Sequence, residues 1–366
     1  MAKLPSDNRQ WILARTPLGG YPSDGDFRLE SSSIPEPDDG QCLSRTLYLS
    51  LDPYQWGRRR SGVEQPGDVC HGRTVSTVIK SCHSQFHEGD IIFNTNGWQD
   101  YGLTGEGIST FGYMLPRRVD PELAPISTAL GALGMLGLTA YAGTALQCQP
   151  QSGETFVVSA ASGGVGQIAG QIAKIYGCRV VGIAGVQDKC DFLQDVLGFD
   201  AAVSHLSEDF SDQLANACPD GIDMYFENVG GKVFDAVLPL FNQSARISRC
   251  GLISQYGNTD GLDPLQSWHN IGQTTFDKQA MTVHSLFVGD FVADHQAQFL
   301  ATMSQWITDG KVKYKEDLWT GLEQAPTAFA AMLTGKNFGK TIIAVGDDPT
   351  LTDTIRHRRN DGDILA

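Results

Sequence analysis

No Cys-x-x-Cys pair occurs among the eight cysteines, Cys42, Cys70, Cys82, Cys148, Cys178, Cys190, Cys218 and Cys250, which are scattered along the chain. Such scatter predicts neither a disulfide framework nor a zinc ribbon, and it suits a reducing, cytoplasmic setting. His-Glu-x-x-His and Gly-x-Ser-x-Gly are both missing, which removes the usual signatures of metalloproteases and serine hydrolases. Basic residues are few: 27 Lys and Arg face 42 Asp and Glu, for a formal net charge of −15. Nucleic acid and anionic membranes should be repelled by that surplus. Any bound anion would need donors built into its own pocket. Met1 to Trp11 has no apolar core, so no signal peptide is expected. The final Ile364–Leu365–Ala366 is not a peroxisomal address.

Long hydrophobic runs are also scarce. Ala124 to Gln147 is uncharged and long enough to span a bilayer. Its four glycines and four hydroxyl residues, with no flanking Lys or Arg anchors, predict instead a buried helix or two helices joined at a glycine.

What is present points to an ordinary globular protein. Its 366 residues suggest two domains. The 41 glycines follow no three-residue period, so they mark turns and close backbone approaches rather than collagen. Up to about residue 123 the chain reads as β-rich. Short apolar runs at Leu43–Leu51, Thr74–Ile79 and Ile91–Phe93 are separated by turns such as Glu88–Gly89–Asp90 and Asn96–Gly97. The pattern then changes to alternating strands and helices. Strands are expected at Thr155–Ala160, Arg179–Ala184, Ala201–Val203, Ile222–Glu227 and Ala245–Cys250. A helix from Val165 is stopped by Gly177, another lies near Asp188–Leu197, and Ser207 is expected to cap a third that runs to Cys218. This alternation is the signature of an α/β doubly wound parallel sheet. Further on, Phe299–Trp306 and Ala325–Leu333 read as helices and Thr341–Val345 as a last strand, expected to return to the first domain.

Ala161-Ser162-Gly163-Gly164-Val165-Gly166 falls where the first of these strands meets its helix. That is the context a dinucleotide fingerprint requires. Ser162, Gly163, Gly164 and Val165 would expose backbone N–H groups to a pyrophosphate, and Gly166 would let the helix pack close to the sheet. At the tip of the second strand, Gly185-Val186-Gln187 replaces the acidic residue usual for NADH, and Lys189 follows. A lysine there could hold a 2′-phosphate, so the expected cofactor is NADPH. No metal is expected. Cys70-His71-Gly72-Arg73 lacks the Gly-His-Glu of zinc alcohol dehydrogenases, and Cys82, His83 and His87 read as a surface loop.

Six ordered segments complete the picture: Leu51-Asp52-Pro53-Tyr54, Gly134 to Tyr141, Ala161 to Gly166, Glu227-Asn228-Val229-Gly230-Gly231, Gly251 to Tyr256 and Asn337-Phe338-Gly339-Lys340-Thr341. Together they resemble the zinc-independent medium-chain dehydrogenase/reductases, in the prostaglandin reductase, alkenal double-bond reductase and curcumin reductase group. The resemblance runs from Trp11 to Val345. It implies a GroES-like β-barrel domain over 1–134 and 310–346, a Rossmann domain over 135–309 and a polar tail over 347–366. It also implies a homodimer that uses NADPH. By matched position, Met135, Thr139, Asn228, Cys250, Phe287 and Asn337 would line the cofactor. Lys189 would meet the 2′-phosphate, with His205 where a tyrosine is common. Tyr256 would serve the ribose hydroxyl and the substrate carbonyl, and Tyr54 would face the substrate.

The expected reaction is reduction of the carbon–carbon double bond of an α,β-unsaturated ketone or aldehyde. Tyr256 would stabilise the enolate oxygen and Tyr54 is a candidate proton donor. Arg58, Arg59 and Arg60 read as a solvated charge run more readily than as a guide for acidic substrates. The alternatives are a ketone or quinone reductase on the same scaffold, and an NADPH-binding protein without turnover.

Overall fold

The computed structural model describes residues 7–110 and 114–351. The readings made above for Met1–Ser6 and for 352–366 lie outside these residues. The chain forms two compact units. The first holds the chain up to Gly134, then Glu316–Asn337 and the stretch from Thr341; the second holds Met135–Lys315 and Phe338–Lys340.

In the first unit, β1 (Asp7–Leu13) and β2 (Phe27–Ser33) pair antiparallel. The long strand β3 (Gln41–Ser50) is buried at almost every position and leads into α1 (Tyr54–Arg60). Next come β4 (Thr74–Ser81), β5 (Ile91–Asn94), β6 (Tyr101–Gly105) and the short β7 (Arg117–Arg118). β3 pairs antiparallel with β4 and β6, and β5 with β4 and β7. Side chains alternate across each strand, and one inward set is polar. The Asn94 amide reaches Ser44 Oγ at 2.9 Å and Thr104 Oγ1 at 2.9 Å, while Asn96 donates to Ser76 Oγ at 3.1 Å. Buried amides of this kind cost stability unless they are bonded, and here they bond one another.

The second unit opens with α2 (Met135–Tyr141), which continues in wider turns to Cys148. β8 (Thr155–Ser159), α3 (Gly166–Ile175), β9 (Arg179–Ala184), α4 (Gln187–Asp191), β10 (Ala201–Ser204), α5 (Phe210–Ala217), β11 (Ile222–Glu227), α6 (Gly231–Val237) and β12 (Phe241–Arg249) follow in strict alternation. α7 (Pro264–Lys278), β13 (Thr282–Ser285) and α8 (Val292–Thr308) complete the unit. All six strands are parallel, in the order β10-β9-β8-β11-β12-β13. Both faces are covered, so β8 is buried at all of its positions. The chain then returns through β14 (Glu316–Thr320) and α9 (Ala325–Leu333) to β15 (Lys340–Ala344), which sets Ile342 opposite Ser50 of β3.

Some local expectations differ. Ser207 does not cap α5: the helix starts at Phe210 after Asp209, and Ser207 spends its hydroxyl on the Asp209 carboxylate at 2.5 Å. α8 begins at Val292, ahead of the expected Phe299. α7 was not expected, because its buried stripe is thin: only Trp268, Gly272 and Phe276 are buried along it. The Ala124–Gln147 run divides into a turn at Ile126–Leu130 and α2. Among the described residues no helix is long and apolar enough to cross a membrane. Asp348 is buried and accepts a hydrogen bond from Tyr48 at 2.8 Å.

Candidate active site

In the parallel sheet, β9 and β10 lie to one side of β8, and β11 to β13 lie to the other. The chain reverses direction across the sheet at this boundary, and a crevice outside the strands' carboxyl ends is where such folds bind ligands. Ala160 ends β8 with φ of 49°, turning the chain sharply into the Ser162–Gly166 loop. A side chain at Gly166 would bring Cβ to 2.4 Å from the Ala160 carbonyl oxygen. Only glycine therefore allows α3 to start so close to β8. At Gly163 a Cβ would press on the Ala160 oxygen at 3.1 Å, so this turn too favours a residue without a side chain.

The neighbouring strand end is held by a residue the sequence reading quoted but gave no task. Glu227, fully buried, accepts from Ser159 Oγ (3.0 Å), Tyr225 Oη (2.9 Å), the Val229 and Gly230 amides (2.8 and 3.1 Å) and Trp268 Nε1 (3.1 Å). Burial pushes its carboxyl upward, and the four donors from Val229, Gly230, Tyr225 and Trp268 pull the other way. Through Glu227 the loop after β11 is fixed to the end of β8. Asn228 reinforces this by donating to the Ser159 carbonyl at 2.7 Å.

At the tip of β9, Gly185 accepts from the Ser204 hydroxyl. Lys189 on α4 is only 8% exposed, unlike a solvated helix-face lysine. His205 follows β10, and its imidazole is pushed down first by burial, then by Lys232 and Lys189. Lys232 on α6 therefore adds a third basic group to this edge, one that sequence spacing did not reveal. Two lysines beside an imidazole that burial keeps neutral, yet able to donate one hydrogen bond, suit a doubly charged phosphate.

Cys250 and Gly251 lie just past β12. Tyr256 turns back over them: a Cβ on Gly251 would lie 3.2 Å from its hydroxyl. Burial, with a smaller contribution from Cys250, pushes the Tyr256 phenol up to about 12. It therefore keeps its proton through the neutral range and can donate a hydrogen bond. Burial also pushes the Cys250 thiol up to about 12, so this cysteine is no thiolate nucleophile. Met135 and Thr139 share α2, where the Thr139 hydroxyl donates to the Met135 carbonyl at 2.7 Å. Phe287 follows β13 and is 49% exposed. The residues expected to meet a nucleotide thus belong to the second unit, except Asn337, which precedes β15 in the first.

Tyr54 also belongs to the first unit. Its hydroxyl lies 2.8 Å from His71 Nε2 and accepts from Arg73 Nη1 at 2.7 Å. The run Arg58–Arg60 corrects an expectation. Arg59 is not solvated: it is fully buried, paired with Glu64 at 3.0 Å, with its guanidinium over the rings of Trp98 (4.4 Å), Phe329 (4.9 Å) and Phe27 (5.2 Å). Cys82 and His83 lie in a turn, where His83 Nδ1 accepts from the Gln85 amide at 2.9 Å. Among the described residues no group of three or more His, Cys, Asp or Glu is placed to hold a metal ion.

Two sequence families match in chain order: "N-terminal domain of oxidoreductase" over residues 9–109 and "Zinc-binding dehydrogenase" over 164–305. With the fold, they define a medium-chain dehydrogenase/reductase. Full-length relatives narrow this further. The chain is 44% identical to the NADPH-dependent curcumin reductase of Escherichia coli, over 95% of this chain and 100% of the relative. It is 38% identical to the NADP(+)-dependent 2-alkenal reductase of Nicotiana tabacum (92% and 97%) and 36% identical to mouse prostaglandin reductase 1 (92% and 98%). The crystal structure of CurA from Vibrio vulnificus in complex with NADPH superposes with a TM-score of 0.84 at 43% identity, covering 93% of this chain and 100% of that one. The chain belongs to the curcumin reductase, alkenal reductase and prostaglandin reductase family.

Proposed function

We propose that this chain is an NADPH-dependent ene-reductase that saturates the carbon–carbon double bond of an α,β-unsaturated ketone or aldehyde. The observation that carries the proposal is Tyr256, a phenol kept protonated by burial at the carboxyl end of β12, in the same unit as the glycine loop.

The residues fit the cofactor. Ser162, Gly163, Gly164, Val165 and Gly166 would hold the pyrophosphate. Lys189, His205 and Lys232 would hold the 2′-phosphate. Asn228, Cys250 and Gly185 would line the same crevice, with Met135, Thr139, Phe287 and Asn337 as further contacts. When bound, NADPH supplies the hydride. The protein's task is then to stabilise charge and move a proton. Tyr256 donates to the carbonyl oxygen as it becomes an enolate, and such a bond strengthens as charge grows. Tyr54 delivers the proton to the α-carbon.

The domain limits we propose are 1–134 with 310–346 for the GroES-like part, 135–309 for the Rossmann part and 347–366 for the tail. A cytoplasmic location agrees with eight unpaired cysteines, one of them exposed. A homodimer agrees with β13, which stands at the edge of the parallel sheet with its backbone available on one side.

Benzalacetone, an enone, and benzylacetone, its saturated ketone, separate this reading from a carbonyl reductase. With NADPH, only benzalacetone should consume cofactor, and benzylacetone should be the product. Consumption with benzylacetone as substrate would mean carbonyl reduction. No consumption with either, or across a wider enone panel, would mean a binding protein.

A further inference from the structure

His71 and Arg73 are two apart on the chain that leads into β4. Residues at that spacing on an extended segment share a face, and both side chains reach the same atom, Tyr54 Oη. Gly72 between them is compelled by packing: a Cβ there would lie 2.6 Å from Leu49 and 2.8 Å from Trp98. The pair is anchored from behind. Glu64 accepts the His71 amide at 3.2 Å, and the buried Arg59 fixes Glu64 while approaching the His71 carbonyl at 3.4 Å. Tyr54 is anchored as well. It opens α1, whose next residue Gln55 donates to the Ser50 carbonyl at 3.0 Å, while Ser50 bonds Asp52 at 2.7 Å.

Donor accounting gives this arrangement a direction. Arginine has no acceptor and keeps its proton at any working pH, so Arg73 can only donate to Tyr54. A permanent cation 2.7 Å away lowers the cost of negative charge on that oxygen. We infer that Arg73 and His71 are positioning residues for Tyr54, making it a proton donor whose phenolate is held by the Arg73 guanidinium and the His71 Nε2–H. The inference rests on the ene-reductase reading. In the step it serves, the Tyr54 O–H bond breaks, a C–H bond forms at the α-carbon of the enolate, and the charge moves to Tyr54 Oη. Water then returns a proton to Oη. His71 also borders a cleft of about 180 Å³ lined by Arg58, Asp68 and Asn96, with its Nδ1 buried. Burial first, then Arg73, Arg58 and Arg59, push the His71 imidazole down to about 2. It is therefore neutral at working pH and can give its one N–H to the Tyr54 oxygen.

The test is a pair of double-mutant cycles on the full chain with NADPH and benzalacetone. Tyr54→Phe should lower kcat about 10²-fold, the usual scale for loss of a general acid. Arg73→Met and His71→Phe should each lower kcat, by about 10- to 100-fold, and leave the KM for NADPH unchanged. In the Tyr54→Phe background, each should cost no more than about twofold, because the group they serve is gone. The alkaline limb of the kcat profile gives a second readout. An acid works only while protonated. Without Arg73 its conjugate base is costlier, so the limb should move to higher pH in Arg73→Met and stay in place in Arg73→Lys. Should Arg73→Met fail to fold, His71→Phe carries the cycle. Losses that multiply in the double variants, or an unmoved limb, overturn the inference while leaving Tyr54 as the donor. Full kcat in Tyr54→Phe removes Tyr54 from the reaction and the inference with it. Failure of every enone with the wild-type chain would instead overturn the ene-reductase reading.

Discussion

Tyr256→Phe is expected to lower kcat on benzalacetone about 10²- to 10³-fold, the scale seen when one donor to a developing oxyanion is lost. The expectation rests on the placement of the hydroxyl. It lies over Gly251 at the end of β12, where a Cβ would come within 3.2 Å of it, and burial keeps its proton in place. A ground-state ketone oxygen accepts only weakly, whereas an enolate oxygen carries nearly a full charge. The missing bond is therefore felt mainly in the transition state, so kcat should fall far more than KM rises. The phenylalanine ring keeps the same packing, so the melting temperature should hardly change, while NADPH binds modestly more weakly for loss of the bond to its ribose hydroxyl. Steady-state kinetics with a melting curve check all of this. Unchanged kcat in a folded Phe variant would remove Tyr256 from catalysis.

Arg59→Met should be the most damaging single change to the first unit's stability. Glu64 is 3% exposed and Arg59 is not exposed at all. Removing one partner of such a pair strands the other charge, at a cost of about 3–5 kcal/mol. The guanidinium also loses three aromatic faces, from Trp98, Phe329 and Phe27. A melting temperature lower by roughly 6–20 °C should follow. Arg59→Met combined with Glu64→Met should recover most of the loss, because a buried pair replaced by apolar groups of similar size is often neutral. Calorimetry of the two variants checks this. If the double variant melts no higher than Arg59→Met, the stranded carboxylate is not the cause.

Arg59 also shows where the sequence was legible and where it was not. The glycine loop at Ser162–Gly166 could be read because its demand is local: a strand, a turn with no room for a side chain, and a helix, all within one stretch. The strands at β8, β9 and β11 announced themselves as short apolar runs, because both faces of a parallel sheet are covered. Arg59 could not be read. Three consecutive arginines look solvated, and only the fold brings Trp98 and Phe329 to the middle one. Glu227 was visible as part of a motif, but two of its five donors, Ser159 and Trp268, come from segments far away in sequence. His71 and Arg73 were passed over as a failed zinc site, although their spacing already placed them on one face. Lys232 joins Lys189 and His205 only in the folded chain, where its charge reaches the His205 imidazole. Helix α7 buries only a thin stripe and so carries a weak signal, and Asp209, not Ser207, stands at the N-cap position of α5, with no side-chain cap bond. Local backbone demands were readable; partnerships assembled across the chain were not.

Calorimetric titration of NADP⁺ and NAD⁺ into the full chain, repeated with Lys189→Ala, tests the central claim most directly. The wild-type chain should bind a single NADP⁺, more tightly than NAD⁺ by roughly 10- to 150-fold, the worth of a charge-assisted bond of about 1.5–3 kcal/mol. Lys189→Ala should remove most of that preference, with Lys232 and His205 keeping the remainder. If neither nucleotide binds, the loop after β8 is only a turn, and the assignment of an NADPH-dependent reductase fails.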